Sequence, residues 1–438
     1  MSYLTTMKTS RTVQYAAVAT LVSVTLLAAV ATFNAVVDPF GMNLLVQAEG
    51  FNVIKPDIYT RVRLFKAYEV MRVRPQSLIL GTSRSHIGFS CSHESWARME
   101  GPCYNLAFDG ATSREMYWYL RHAYAVQPIK HVLLGLEPYH LAASLSTTRP
   151  DFDPLVLRDP DGDTLPRWLT GDLRILTSLD TLKASMETLQ DQDDTTPAWF
   201  APDGQRLGEV FFRHVDGRFS QLSPRGYFHM TDEEAVTYGT EWIVAARHNH
   251  ASLRADPPVD PNETSLGYVR RIVDFCRSHH IDLRIVVTPA HVHQLEIMAA
   301  TEGPTAVENK KRDLVSLVDE ENARYPEQPP TPLFDFSGYS SITEEVPPAP
   351  GMSEELRYYW DSSHFKQLVG DYILDSVYGV SVLARKAPPD FGVRLTDATI
   401  EPYFADQRQR QDDYRRRHLN DVSRLRKLVS NALNNDRG

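Results

Sequence analysis

A chain of 438 residues that is 42% hydrophobic and 23% charged has material for a sizeable core, arranged as one large α/β domain with insertions or as two ordinary domains. Its formal net charge of −10 excludes nucleic acid as the main partner, because phosphate recognition needs a basic surface. The chain carries no internal repeat and no long low-complexity tract.

The first element in chain order is apolar. Thr12 to Val37, TVQYAAVATLVSVTLLAAVATFNAVV, contains no charged residue and exceeds the roughly 20 residues needed to cross a hydrocarbon core. Lys8 and Arg11 precede it, and no Lys or Arg occurs from Asp38 to Ile54. This bias predicts a cytoplasmic segment 1–11, a single-pass inner-membrane anchor 12–37, and a periplasmic or extracellular remainder. Ala29-Val30-Ala31 would suit signal-peptide cleavage, but the apolar run continues past it to Val37, which favours a retained anchor.

Pro39 and Gly41 end the helix. Strand-like runs then follow at 77–82 (SLILGT), 104–108 (YNLAF), 131–137 (HVLLGLE), 283–289 (LRIVVTP) and 332–336 (PLFDF). Several are continuous apolar runs without alternation, as in parallel strands buried on both faces. Helical patterns at 112–125, 265–279, 306–324 and 365–378 separate or follow them. The order predicts an α/β fold with a doubly wound, parallel, five-stranded sheet over 38–385. An insertion at about 141–262, with a helix-like piece at 172–189 and turns rich in Pro, Asp and Gly, is too long for a simple crossover and is expected to cap one edge of the site. The remainder, 386–438, reads as a polar tail whose thin stripe of Leu419, Val422, Leu425 and Val429 suits a solvated terminal helix.

Export permits a disulfide between Cys91 and Cys103, and reduced structural thiols are the other reading. Cys276 continues the stripe Leu266, Val269, Val273 of a helix, which marks a buried thiol.

Chemistry concentrates at two places. The first strand ends in SLILGTSRSHIGFS, where Ser83 stands at the carboxyl edge of the sheet, the edge at which such folds bind ligands. After the last strand comes YYWDSSHF, in which Asp361 and His364 are spaced to hold a carboxylate against an imidazole and leave the second nitrogen free for a serine proton. His86 reads as a polar surface residue. His248-Asn249-His250 and His291-Val292-His293 lack the other ligands of a zinc site, so no metal and no cofactor is implied. His291, just after the fourth strand, is a candidate for substrate contact, as is Arg84 for an anionic group. Tyr358, Tyr359 and Trp360 suit either a sugar-stacking surface or packing beneath the turn.

On these residues the chain resembles the SGNH (GDSL-type) hydrolase superfamily over roughly Asp38 to Val382. It is most similar to the membrane-anchored bacterial branch that includes SGNH-like proteins of polysaccharide O-acetylation and teichoic acid D-alanylation. Gly81-Thr82-Ser83-Arg84 resembles the nucleophile block, Gly110 in NLAFDGAT the oxyanion glycine, and Asp361-Ser362-Ser363-His364 the Asp-x-x-His block. The resemblance implies a three-layer, flavodoxin-like fold and a Ser83–His364–Asp361 triad. It also implies a substrate such as an acylated cell-surface polysaccharide, and a possible membrane acyltransferase partner. One block departs: where the superfamily places an oxyanion asparagine, this chain has Gly135-Leu136-Glu137, and a carboxylate opposes an oxyanion. The hole then falls to the backbone N–H groups of Ser83 and Gly110, with Asn105 or Arg84 in support. Two classes follow, a serine esterase or O-acyltransferase and a non-catalytic scaffold, and Glu137 favours the second.

Overall fold

The computed structural model describes residues 11–142, 144–162, 165–193, 198–253, 260–382 and 385–435. In chain order, α1 (Arg11–Val37) comes first; β1 (Ser77–Leu80) leads at once into the short α2 (Ser83–Gly88), and β2 (Cys103–Asn105) into α3 (Ser113–Val126). After β3 (His131–Leu136) come α4 (Leu165–Leu176), α5 (Leu179–Gln190), α6 (Pro224–Leu253) and α7 (Ser265–Ser278). β4 (Asp282–Val287) precedes α8 (Val292–Glu302) and α9 (Ala306–Arg324), and β5 (Leu333–Asp335) precedes α10 (Gln367–Tyr378). β6 (Val393–Leu395), α11 (Asp397–Arg417) and α12 (Leu419–Asn435) close the chain.

The strands form one mixed, mostly parallel sheet in the order β2-β1-β3-β4-β5-β6. Leu78 pairs with Tyr104 on one side and Val132 on the other, and Val286 pairs with Phe334. The first five strands are parallel in the 2-1-3-4-5 order of doubly wound sheets, and β6 runs antiparallel to β5. The sequence predicts five strands, not six. β6 is three residues long with exposed Arg394 at its centre, too short for alternation to register. All of β1 and most of β3 are buried, which explains their unbroken apolar runs.

The chain divides into two compact units, 1–69 with 153–195 and 70–152 with 196–438. The boundaries at 153 and 195 fall inside the insertion expected at about 141–262. In the first unit, α1 is long and apolar enough to cross a membrane. Its exposed stretch gives way at Asn34, whose side chain donates to Leu176 O and accepts from Ser185 Oγ, both at 2.8 Å. The expected 172–189 helix is two, α4 and α5, and Ser178 caps the second by accepting from the Thr181 N–H.

The second unit holds the sheet. A 30-residue helix, α6, occupies insertion residues expected to be turns. Its inward face carries buried Thr231, Asp232 and Thr240 among Phe228 and Val236, so polar residues interrupt the apolar stripe that would have revealed it. The C-terminal segment is also not a solvated tail. Leu419 is exposed, but Val422, Leu425 and Val429 are buried, the last two against Val236 of α6 and Ile297 of α8. A disulfide joins Cys91 to Cys103 at the start of β2, and Cys276 is a buried free thiol.

Candidate active site

β1 runs out at Leu80, and Thr82 caps α2 by accepting from the Arg84 N–H at 3.4 Å. Ser83 is the first residue of that helix. Its own N–H, one of the orphan donors of a helix start, makes no hydrogen bond among the described residues. The segment after β2 runs alongside: Leu106 N–H donates to Ile79 O at 2.8 Å and Phe108 N–H to Gly81 O at 3.3 Å. Gly110 and Ser83 each stand two residues beyond that last bond. Gly110 adopts φ +59°, a left-handed conformation that favours glycine; a Cβ there would lie 2.7 Å from the Arg149 guanidinium, the far end of a side chain able to swing aside. Its N–H is likewise without a partner among the described residues.

The second half of the site is the tip of a small hairpin. Tyr359 and Phe365 pair antiparallel and are both buried in the main core, so the turn between them is anchored at its two ends. Within it, Asp361 Oδ1 accepts from the Ser363 and His364 N–H groups at 2.6 Å each, and Oδ2 lies 2.8 Å from His364 Nδ1. His364 Nε2 lies 2.8 Å from Ser83 Oγ. With Nδ1–H donated to Asp361, Nε2 is left to accept the serine proton. Burial works to lower the His364 pKa, but the charge and hydrogen bond of Asp361 outweigh it and hold the imidazole above its ordinary value. Helices α2 and α10 meet closely behind this arrangement, since a Cβ on Gly370 would lie 1.8 Å from Gly88 O.

The structure therefore brings Ser83, His364 and Asp361 together, and it assigns other work to several companions. Asn105 is fully buried and its side-chain NH2 donates to Ser85 O at 3.0 Å and Phe89 O at 2.7 Å. These bonds hold the end of α2, so Asn105 is not placed as an oxyanion donor. His291 lies at the expected sheet edge but is buried. Its Nδ1 accepts from the His293 N–H at 3.2 Å, and Nε2 donates to Glu345 O at 2.7 Å. Both nitrogens are committed within the protein and burial keeps the ring well below its ordinary pKa, so this side chain is not placed for substrate contact. Its backbone matters more, because its N–H donates to Ser362 O at 3.1 Å and braces the Asp361–His364 turn.

Arg84 is buried too, facing Glu137 Oε2 at 3.3 Å and donating through Nη2 to Ser363 Oγ at 3.2 Å. It is not a free receptor for a substrate anion. The other oxygen of Glu137 accepts from Thr82 Oγ1. His86, expected at the surface, is buried with Nδ1 3.3 Å from Asp109 Oδ1. Tyr359 belongs to the core, while Trp360 stacks on Phe212 at 5.1 Å and carries Lys366 over its ring at 4.5 Å. Tyr358 and Trp360 are partly buried against the core clusters, so packing accounts for these rings.

Several residues near the site went unread in the sequence. Arg206 pairs with Asp109; burial works to raise that carboxylate, but Arg206 and His86 hold it far below the usual range. Phe212 sets its ring 5.9 Å from that of His364. Thr231 and Gln294 both bond Ser362. Each lies 68 or more residues along the chain from the site residue it touches, so no local pattern could reveal them; Asp109 alone was visible, as the neighbour of Gly110. Among the described residues no group of three or more His, Cys, Asp or Glu side chains is disposed to hold a metal, and the side chains of His248 and His250 lie outside the described residues. No family model matches the chain, and no curated protein matches its sequence.

Proposed function

We propose that the protein is an exported, membrane-tethered serine acyl-ester enzyme of the SGNH type, acting on an acylated cell-envelope polysaccharide or exopolysaccharide. The observation that carries this reading is the continuous chain Asp361–His364–Ser83, at 2.8 Å for each link, between the turns that follow β5 and β1. The parallel 2-1-3-4-5 strand order supports the same assignment.

In this reading Ser83 Oγ attacks the ester carbonyl while His364 Nε2 takes its proton. The tetrahedral oxyanion is met by the Ser83 and Gly110 N–H groups. His364 then returns the proton to the leaving alcohol, and acyl-Ser83 remains. Water or a sugar hydroxyl, deprotonated by the same imidazole, releases the acyl group and so makes the protein an esterase or a transferase. Asp361 holds the imidazole in the required tautomer and stabilises its charged form. The charge bias around α1 supports an inner-membrane anchor with the N-terminus inside and the sheet unit outside.

The competing reading is a non-catalytic scaffold for a glycan or a membrane acyltransferase partner, which the carboxylate of Glu137 favours. Its pairing with Arg84 and Thr82 weakens that objection, because the charge is compensated where it stands. A fluorophosphonate probe separates the two: the enzyme reading expects covalent labelling of the full chain and none of the Ser83→Ala variant. A folded wild-type protein that neither labels nor hydrolyses a simple acetyl ester would leave the scaffold.

A further inference from the structure

Glu137 grips the nucleophile turn from both sides. One oxygen accepts from Thr82 Oγ1, immediately before Ser83, and the other faces Arg84, immediately after it, at 3.3 Å. Both side chains of the ion pair are about nine-tenths buried, with 9% of Arg84 and 10% of Glu137 exposed. A buried carboxylate in this position is tolerated only because it is paired and hydrogen-bonded.

The two partners also reach the other parts of the site. Arg84 Nε and Nη2 both point to Ser363 Oγ, at 3.4 and 3.2 Å, inside the Asp361–His364 turn. Glu137 N–H donates to His140 Nδ1 at 2.9 Å, which leaves the proton on Nε2 to donate to Ala111 O at 3.0 Å, next to Gly110. One buried pair thus touches the nucleophile turn and the histidine turn directly, and the glycine loop through His140.

We propose that Arg84 and Glu137 are a positioning pair that locks the turns carrying Ser83 and His364 in register, a role that rests on the serine-ester reading of this site. Glu137 fixes Arg84, and Arg84 fixes Ser363. The planar guanidinium suits this task because its fork offers donors in two directions at once, which an ammonium on a flexible stem does not.

The pair also sets the electrostatic surroundings of His364. The charged groups facing that imidazole are Asp361 from its own turn, Arg84 from α2 and Asp109 from the loop after β2. The carboxylates favour the imidazolium and Arg84 opposes it. Glu137 is the counter-charge of Arg84, so neutralising Glu137 exposes His364 to more of the Arg84 charge, and neutralising Arg84 removes the opposition. The two changes are expected to move the His364 titration in opposite directions, which a packing role alone would not produce.

The test is made on the full chain in detergent micelles with ¹³C-labelled histidine, the His364 signal being assigned by its loss in His364→Gln. Arg84→Gln is expected to move the His364 titration to higher pH and Glu137→Gln to lower pH. Fluorophosphonate labelling of Ser83 is expected to slow by about 10–100-fold in each, the scale of a reacting pair displaced by about an ångström. Arg84→Lys keeps the charge and loses the fork, so its titration is expected near that of the native protein while labelling stays slow. Titrations that do not move or move the same way, or labelling at the native rate in all three variants, would overturn the proposal. Opposite titration shifts in a protein whose Ser83 never labels would remove the enzyme reading and leave the pair as the holder of the turn.

Discussion

His364 and His293 each turn Nδ1 toward a buried carboxylate, at 2.8 Å from Asp361 and 2.9 Å from Asp232. The first pair sits in an anchored turn at the sheet edge, with Nε2 on Ser83 and 22% of the imidazole side chain exposed. The second lies between α6 and α8 and is fully buried; its Nε2 has no hydrogen-bond partner among the described residues. Arg424 of α12 also bonds Asp232. Burial works to raise the Asp232 carboxyl, but His293 and Arg424 together hold it below the usual range. The same two side chains therefore make the proposed proton shuttle in one place and a structural clasp for the C-terminal helix in the other. What separates them is the group at the second nitrogen and its access to solvent.

Substitutions can break this contrast, and the largest effect is expected at the reacting atoms. Ser83→Ala or His364→Ala should lower ester turnover by about 10⁵–10⁶-fold, because nucleophile and base act as a unit, whereas His293→Ala should leave labelling of any folded protein close to native. Asp361→Asn should cost less, about 10³–10⁴-fold in turnover at unchanged substrate affinity, since it spoils the tautomer and leaves the base in place. Steady-state kinetics on a chromogenic acetyl ester checks both.

The clasp should answer in stability instead. Asp232→Ala strands His293 and Arg424 and is expected to cost about 3–5 kcal/mol in chemical denaturation, the range for breaking one side of a buried pair. Reducing the Cys91–Cys103 bond is expected to cost at most about 3 kcal/mol, given a closed loop of about a dozen residues, with no change in labelling at Ser83.

Acid should distinguish the histidines by sign. The proposed reaction needs neutral His364, whose pKa is raised, so labelling should fall about tenfold per pH unit below a midpoint above the ordinary value of 6.5. That raised pKa contributes stability that is fully present below 6.5 and lost as pH rises through the folded value. His229 runs the other way. Burial and then Arg424 push it down to about 4, so the unfolded chain takes up its proton first and stability falls between pH 6.5 and about 4. His229→Gln should flatten the loss of melting temperature on acidification without moving the acid limb of labelling.

The sequence is most informative where the physics is local. Unbroken apolar runs reveal β1 and β3 because strands buried on both faces have no polar side to show. Helix α9 falls at the expected 306–324, because its period lies within its own residues. The pairing of Asp361 with His364 is legible for the same reason, as both sit in one turn. The Ser83–His364 contact is readable only at second hand, by placing two motifs at the same edge of a predicted sheet.

Tertiary structure alone decides the remaining roles. Asn105, His291 and Arg84 have side chains fit for substrate contact, yet each spends its donors or acceptors on atoms of other elements or loops. Glu137 looks like a defect in a motif until Arg84 and Thr82 are placed against it. β6 and α12 hold their positions through pairing with β5 and packing on α6 and α8, so a short strand and a polar helix with a thin stripe become fixed parts of the sheet unit. A side chain's chemistry is written in its type. Whether that chemistry is free to act depends on which distant groups have already claimed its hydrogen bonds, and burial makes those claims binding because water is not there to replace them.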